Sequence, residues 1–132
     1  MAKTPSQWEL DGAFWENLAF TVGAEGSNLV NVVVSANGAP GAVPAKLPKL
    51  VGWVSDDSDG SSVAATAPTT LAIQTSGRGT LTEHVANKVF TLELDANGKA
   101  DVEFGDAGSD TWYLVIVLPD GSVQVSGAVT LA

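Results

Sequence analysis

The chain has no cysteine, one histidine, one methionine and one tyrosine, and its six bases are outnumbered by fifteen acids. Without thiols there is no disulfide, no thiolate nucleophile and no zinc held by sulfur, so stability must come from packing. The single histidine, His84, would serve a hydrolase triad only with a carboxylate and a nucleophile converging on it, and no Gly-x-Ser-x-Gly elbow accompanies it. A net charge of −9 repels nucleic acid and anionic membranes, so neither is an expected partner. The longest apolar run, Trp112 to Leu118, is far short of the roughly 20 residues of a membrane helix. No hydrophobic stretch follows Lys3 in Met1-Ala2-Lys3-Thr4-Pro5, so no signal peptide is expected and folding in a cytosol is. At 132 residues the chain is one domain's worth.

What the chain does have is strand-length alternation. Phe90, Leu92 and Leu94 share one face of a segment, and Ala100, Val102 and Phe104 share one face of the next. Trp112 to Leu118 is apolar on both faces, and the pattern as a whole predicts an all-β domain. Asp95-Ala96-Asn97-Gly98-Lys99 fits a three-residue hairpin loop with Gly98 at the position needing positive φ. Counting back pairs Leu94 with Ala100, Leu92 with Val102 and Phe90 with Phe104, and sets Glu93 opposite Asp101. Leu118-Pro119-Asp120-Gly121-Ser122 repeats the device, pairing Val117 with Val123 and Val115 with Val125. On the other face Trp112, Leu114 and Ile116 then oppose Ala128, Ser126 and Gln124. That apolar strip must be covered by a neighbouring strand or the N-terminal arm, or else serve as an oligomer or docking surface.

Upstream, residues 1–16 carry Trp8, Phe14 and Trp15 among acids without a period of two, and read as an arm before a domain over 17–132. The arm either packs on its own sheet or docks its aromatics on a partner. Leu29 to Val34 is dense in β-branched residues, which predicts a central strand. Asn37 to Pro48, with three prolines, predicts a long loop or ragged edge. Val51 to Val54 resumes strand character before the acidic turn Ser55-Asp56-Asp57-Ser58-Asp59-Gly60. Val63 to Ile73, broken by Pro68, predicts two short edge strands; Gly77-Arg78-Gly79 is a turn and Leu81 to Val85 a short strand. No segment has the period of an amphipathic helix.

Little in this inventory carries chemistry. His84 beside Glu83 reads as a surface residue on a short strand, and the acids lie mainly at turns and on outward faces, where no paired-carboxylate cleft can be argued. Phosphate and dinucleotide loops are absent, since the glycines lack a strand-to-helix context. Asp56, Asp57 and Asp59 are the one cluster of hard oxygen ligands, but position twelve after Asp57 is Pro68, not the glutamate of a calcium loop. Arg78 between two glycines is an exposed cation that either is solvated or meets a carboxylate of a partner. Neither catalysis nor a cofactor is expected.

Trp53-Val54-Ser55-Asp56-Asp57, Ala64-Ala65-Thr66-Ala67-Pro68, Asp110-Thr111-Trp112-Tyr113-Leu114, Leu118-Pro119-Asp120-Gly121 and Ser126-Gly127-Ala128 follow one another in an order that resembles small virion proteins of tailed bacteriophages. The likeness covers roughly residues 17 to 131, with Thr21 to Asn28 fitting the same pattern. It implies an antiparallel immunoglobulin-like β-sandwich of seven or more strands, with Trp53 as the core tryptophan, Tyr113 at a tyrosine corner and Val115 where a cysteine would stand. It also implies a protein of the virion, made in the host bacterial cytoplasm. Such a protein decorates or cements the capsid by adhesion to the major capsid protein or other virion subunits, alone or as a small homo-oligomer. On chemical grounds the expected anchors are Trp8, Phe14 and Trp15, then Trp112, Leu114 and Ile116, because buried aromatic anchors dominate interface energies. The alternative is an adhesin module on a phage head or tail fibre that stacks host carbohydrate on Trp8, Trp15 or Trp53.

Overall fold

Alternating apolar residues, with β-branched ones prominent, give strands throughout the computed structural model, which describes residues 17–37, 49–118 and 121–131. The strands are β1 (Asn17–Val22), β2 (Leu29–Asn37), β3 (Leu50–Ser55), β4 (Thr70–Ile73), β5 (Thr80–Val85), β6 (Val89–Glu93), β7 (Lys99–Gly105), β8 (Asp110–Val117), β9 (Val123–Val125) and β10 (Val129–Leu131). They form two antiparallel sheets, β1-β2-β7-β4 and β10-β8-β3-β6-β5, with β9 also paired to β8. Among the described residues there is no helix. The sheets share one core, built from Val30, Val32, Val102 and Phe104 on one side and Phe90, Leu92, Trp112 and Leu114 on the other. This is the arrangement of a β-sandwich.

Leu29 to Val34 is central, as its composition predicts, with β2 held between β1 and β7. Of the two strands expected between Val63 and Ile73 only β4 forms, at a sheet edge. The Asn87 side chain donates to the carbonyls of Pro68 and Thr69, both at 3.0 Å, and so satisfies backbone acceptors that a ladder would have used. The loop expected to follow Asn37 lies outside the described residues.

The turn at Asp95–Lys99 forms as expected, but the hairpin it implies does not. The Asp95 amide donates to the Lys99 carbonyl at 2.9 Å, and Gly98 sits at φ 74°. Beyond that point the chain changes sheets: β6 pairs with β3 and β5, and β7 pairs with β2 and β4. Phe90 and Leu92 therefore meet Val102 and Phe104 across the core instead of beside them. The same alternation suits both arrangements, and Val30, Val32 and Val34 of β2 offer β7 a β-branched partner at every core position. Glu93 consequently opposes Thr80 and lies 3.3 Å from Lys49, far from the expected clash with Asp101.

Asp101 instead opposes Val33 and receives Arg78, which is exposed as expected but is paired within its own chain. Arg78 donates to the Asp101 carboxylate through Nε at 2.9 Å, Nη2 at 2.8 Å and its backbone amide at 2.7 Å. Two backbone bonds, Gln74 N–H to Asp101 O at 2.9 Å and Asp101 N–H to Arg78 O at 3.0 Å, complete the staple. It fastens to β7 the segment that carries the chain from β4 in one sheet to β5 in the other.

The last hairpin keeps the expected pairs Val117–Val123 and Val115–Val125. Past Val125 an extra residue enters. Ser126 both donates its amide to Leu114 O and accepts the Leu114 amide on Oγ, each at 2.9 Å, so that Trp112 opposes Val129 and not Ala128. This bulge turns Val129 and Leu131 to the side of Trp112 and closes the core there. Trp112, Leu114 and Ile116, expected as a strip needing cover, are 0–1% exposed beneath the opposite sheet and offer no docking surface. Trp53 and Val115 point the other way, outside the shared core, which puts them out of phase with the immunoglobulin positions the resemblance implies.

Candidate interaction face

Because β8 is apolar on both sides, burying Trp112, Leu114 and Ile116 leaves a second apolar row facing outward. Val123, Val117, Val51, Thr91 and Thr82 stand side by side across β9, β8, β3, β6 and β5. Two residues along, about 7 Å at a strand's rise, Val125, Val115, Trp53, Val89 and Val85 form a parallel row. Val51 and Val85 are each 50% exposed and Val123 is 45% exposed, whereas Val115 is fully buried.

The difference lies in the acidic loop after β3, which folds back over the second row. Gly60 rests on it: a Cβ there would stand 2.9 Å from Val115 Cγ2 and 3.0 Å from Val125 Cγ2, and its φ of +71° is one that side chains resist. The Trp53 indole N–H donates to Gly60 O at 3.0 Å, and the Gly60 amide to Asp57 O at 2.9 Å. Gly60→Ala is therefore expected to cost about 2 kcal/mol, from φ strain and the lost seat together. A urea titration would measure the loss, and Trp53 fluorescence should shift to the red as the loop lifts.

The carboxylates of this loop are held by the loop itself. Asp57 Oδ2 accepts from the Ser62 hydroxyl at 2.6 Å and the Ser61 hydroxyl at 3.2 Å, and Asp56 Oδ2 from the Ala65 amide at 2.9 Å. Hydrogen bonds from Ser61 keep Asp59 below the ordinary carboxylate range, so it stays ionised. Among the described residues no group of three His, Asp or Glu side chains could hold a metal ion. The calcium-loop likeness of Asp56, Asp57 and Asp59 is thus replaced by an acidic rim beside an apolar row.

Other singled-out residues fall elsewhere. His84 sits exposed at a bulge in β5 with Nε2 2.6 Å from Thr91 Oγ1. The neighbouring Glu83 carboxylate accepts the Asn87 amide, so the two form no acid–base pair. A shallow cleft between β4 and β5, lined by Leu71, Ile73 and Leu81, holds Glu83 as its one carboxylate. Trp8, Phe14 and Trp15 lie outside the described residues. Sequence reasoning missed the row Val51–Val117–Val123, although the signal was present: a strand apolar on both faces must show one of them somewhere.

Compared with protein-family models, curated proteins and solved structures, the chain matches none. The likeness to phage virion proteins therefore rests on the quoted sequence segments.

Proposed function

We propose that the protein is a structural component of a tailed-phage virion, a decoration or cement protein that binds the major capsid protein and stabilises the head. The observation that carries the reading is the uncovered apolar row Val51–Val117–Val123 on the outer face of an all-β scaffold. Contiguous exposed apolar surface marks contact sites, and burying it stabilises a complex by roughly 25 cal/mol per Å². Two of the segments that resemble virion proteins adjoin its strands in sequence: Trp53 to Asp57 ends the strand of Val51 and leads into the loop over the neighbouring row, and Leu118 to Gly121 joins the strands of Val117 and Val123. Adhesion of this kind needs no reacting group.

Pelleting expanded capsid shells that lack the protein, after mixing them with the purified chain, tests the proposal. Co-sedimentation that weakens as salt is raised is the expected result, because an acidic surface meets basic capsid loops through a screened attraction. Failure to sediment with any expanded shell would overturn it.

A further inference from the structure

We infer that β1 is an assembly edge, to which a second copy of this chain adds its own β1 antiparallel about a two-fold axis. The inference does not depend on the virion reading.

The phase of the ladders shows which backbone groups are free. Ala36 donates its amide to Gly98 O at 2.8 Å on the β7 side of β2, so Val33 and Ser35 turn to β1, where they face Thr21 and Ala19. The Gly23 amide on Asn31 O, also at 2.8 Å, keeps the same phase. Leu18, Phe20 and Val22 therefore aim N–H and C=O away from β2, and among the described residues no strand lies on that side. Such a row is a template for another strand, and sheets ordinarily guard it. The other sheet edges are guarded. β4 has four residues, and β9 and β10 have three each. β5 carries a bulge between Glu83 and Val85 and turns Glu83 into the cleft beside β4. β1 instead pairs with β2 without a register shift and contains no charge and no proline.

The chemistry of β1 selects its occupant. Chains that each carry −9 can meet along Asn-Leu-Ala-Phe-Thr-Val without opposing carboxylates in the ladder. With the axis at Phe20, that residue opposes its own equivalent and Leu18 opposes the second copy's Val22. Each such pair exchanges two backbone bonds, so every free group of the row is used at once. Phe20 and Val22, half-buried at the margin of the core, are then covered by their equivalents. Residues 1–16 supply no matching strand, because a hairpin through Asp11-Gly12 would bring Pro5 opposite Leu18, where an N–H must donate.

Light scattering over a dilution series tests the inference. Two strands of six residues bury less than a standard interface, so a wild-type dimer that dissociates on dilution is expected. V22P keeps the bonds to β2, which Ala19 and Thr21 make, but removes an N–H that the second copy needs. A19K/T21K sets lysine opposite lysine across the two copies, on the solvent face of the strand. Each variant is expected to weaken the dimer by about tenfold or more, with the thermal unfolding of the dilute monomer unchanged. Should V22P unfold early, the lysine pair decides. A19E/T21K, which sets glutamate opposite lysine in this register, is expected to restore the dimer. A chain that stays monomeric at every concentration, a dimer that A19K/T21K leaves unchanged, or no recovery in A19E/T21K would each overturn the inference. Slow hydrogen exchange at the Leu18, Phe20 and Val22 amides of a monomer would identify residues of the same chain as the occupant and likewise overturn it.

Discussion

Trp112→Ala is expected to cost about 4 kcal/mol of folding stability, the upper range for removal of a buried aromatic side chain. The ring is 1% exposed between the sheets, and its indole N–H donates to the Thr66 carbonyl at 2.9 Å, so truncation leaves both a cavity and an orphaned acceptor. A denaturant titration should show the midpoint falling with little change of slope. A cost below about 1 kcal/mol would mean that Trp112 is at the surface, as the sequence alone allowed.

Asp101→Ala is expected to cost about 2 kcal/mol, because it removes three hydrogen bonds to a nearly buried carboxylate, while Arg78 itself stays exposed to water. The Asp101 side chain is only 9% exposed, unlike Glu93, whose pair with Lys49 is open to solvent on both sides. Glu93→Ala should therefore cost no more than about 0.5 kcal/mol. The same staple predicts a pH dependence. The Arg78 hydrogen bonds, outweighing burial, hold Asp101 at about 2, below its ordinary 3.8. Since the folded value is the depressed one, the stabilisation is complete above about pH 4 and is lost as pH falls toward 2. It amounts to about 2 kcal/mol. Acid titration of stability should show that loss in wild type and a smaller one in Asp101→Ala, where Asp59 still titrates below its ordinary value.

The period of two told the strands, the turns and the core residues apart, because each of those follows from local chemistry: β-branched runs, Gly98 at positive φ, Phe90 alternating with Leu92. Partner choice was not local. Leu92 could face Val102 across a ladder or across the core, and only the competing strand β2, more than fifty residues upstream, decides between them. The inward face of β8 was equally hidden, since it turns on one extra residue at Ser126 that moves Val129 opposite Trp112. Arg78 is legible as an exposed cation and Asp101 as an acid, but nothing in the spacing says that a sheet-switching segment brings them together. The acidic loop could be located but not oriented. Its place on the sheet depends on Gly60 finding a seat over Val115, a contact between residues far apart in sequence.

Single-cysteine variants test most directly which face of β8 is inside, and the chain's lack of cysteine makes them clean. Val51→Cys and Val123→Cys should react with a thiol reagent in the native protein nearly as fast as a free thiol, whereas Leu114→Cys and Ile116→Cys should react only on unfolding. Rapid labelling at 114 and 116 with protection at 51 and 123 would contradict the account, because it would put the Val51–Val117–Val123 row in the core and the core on the surface.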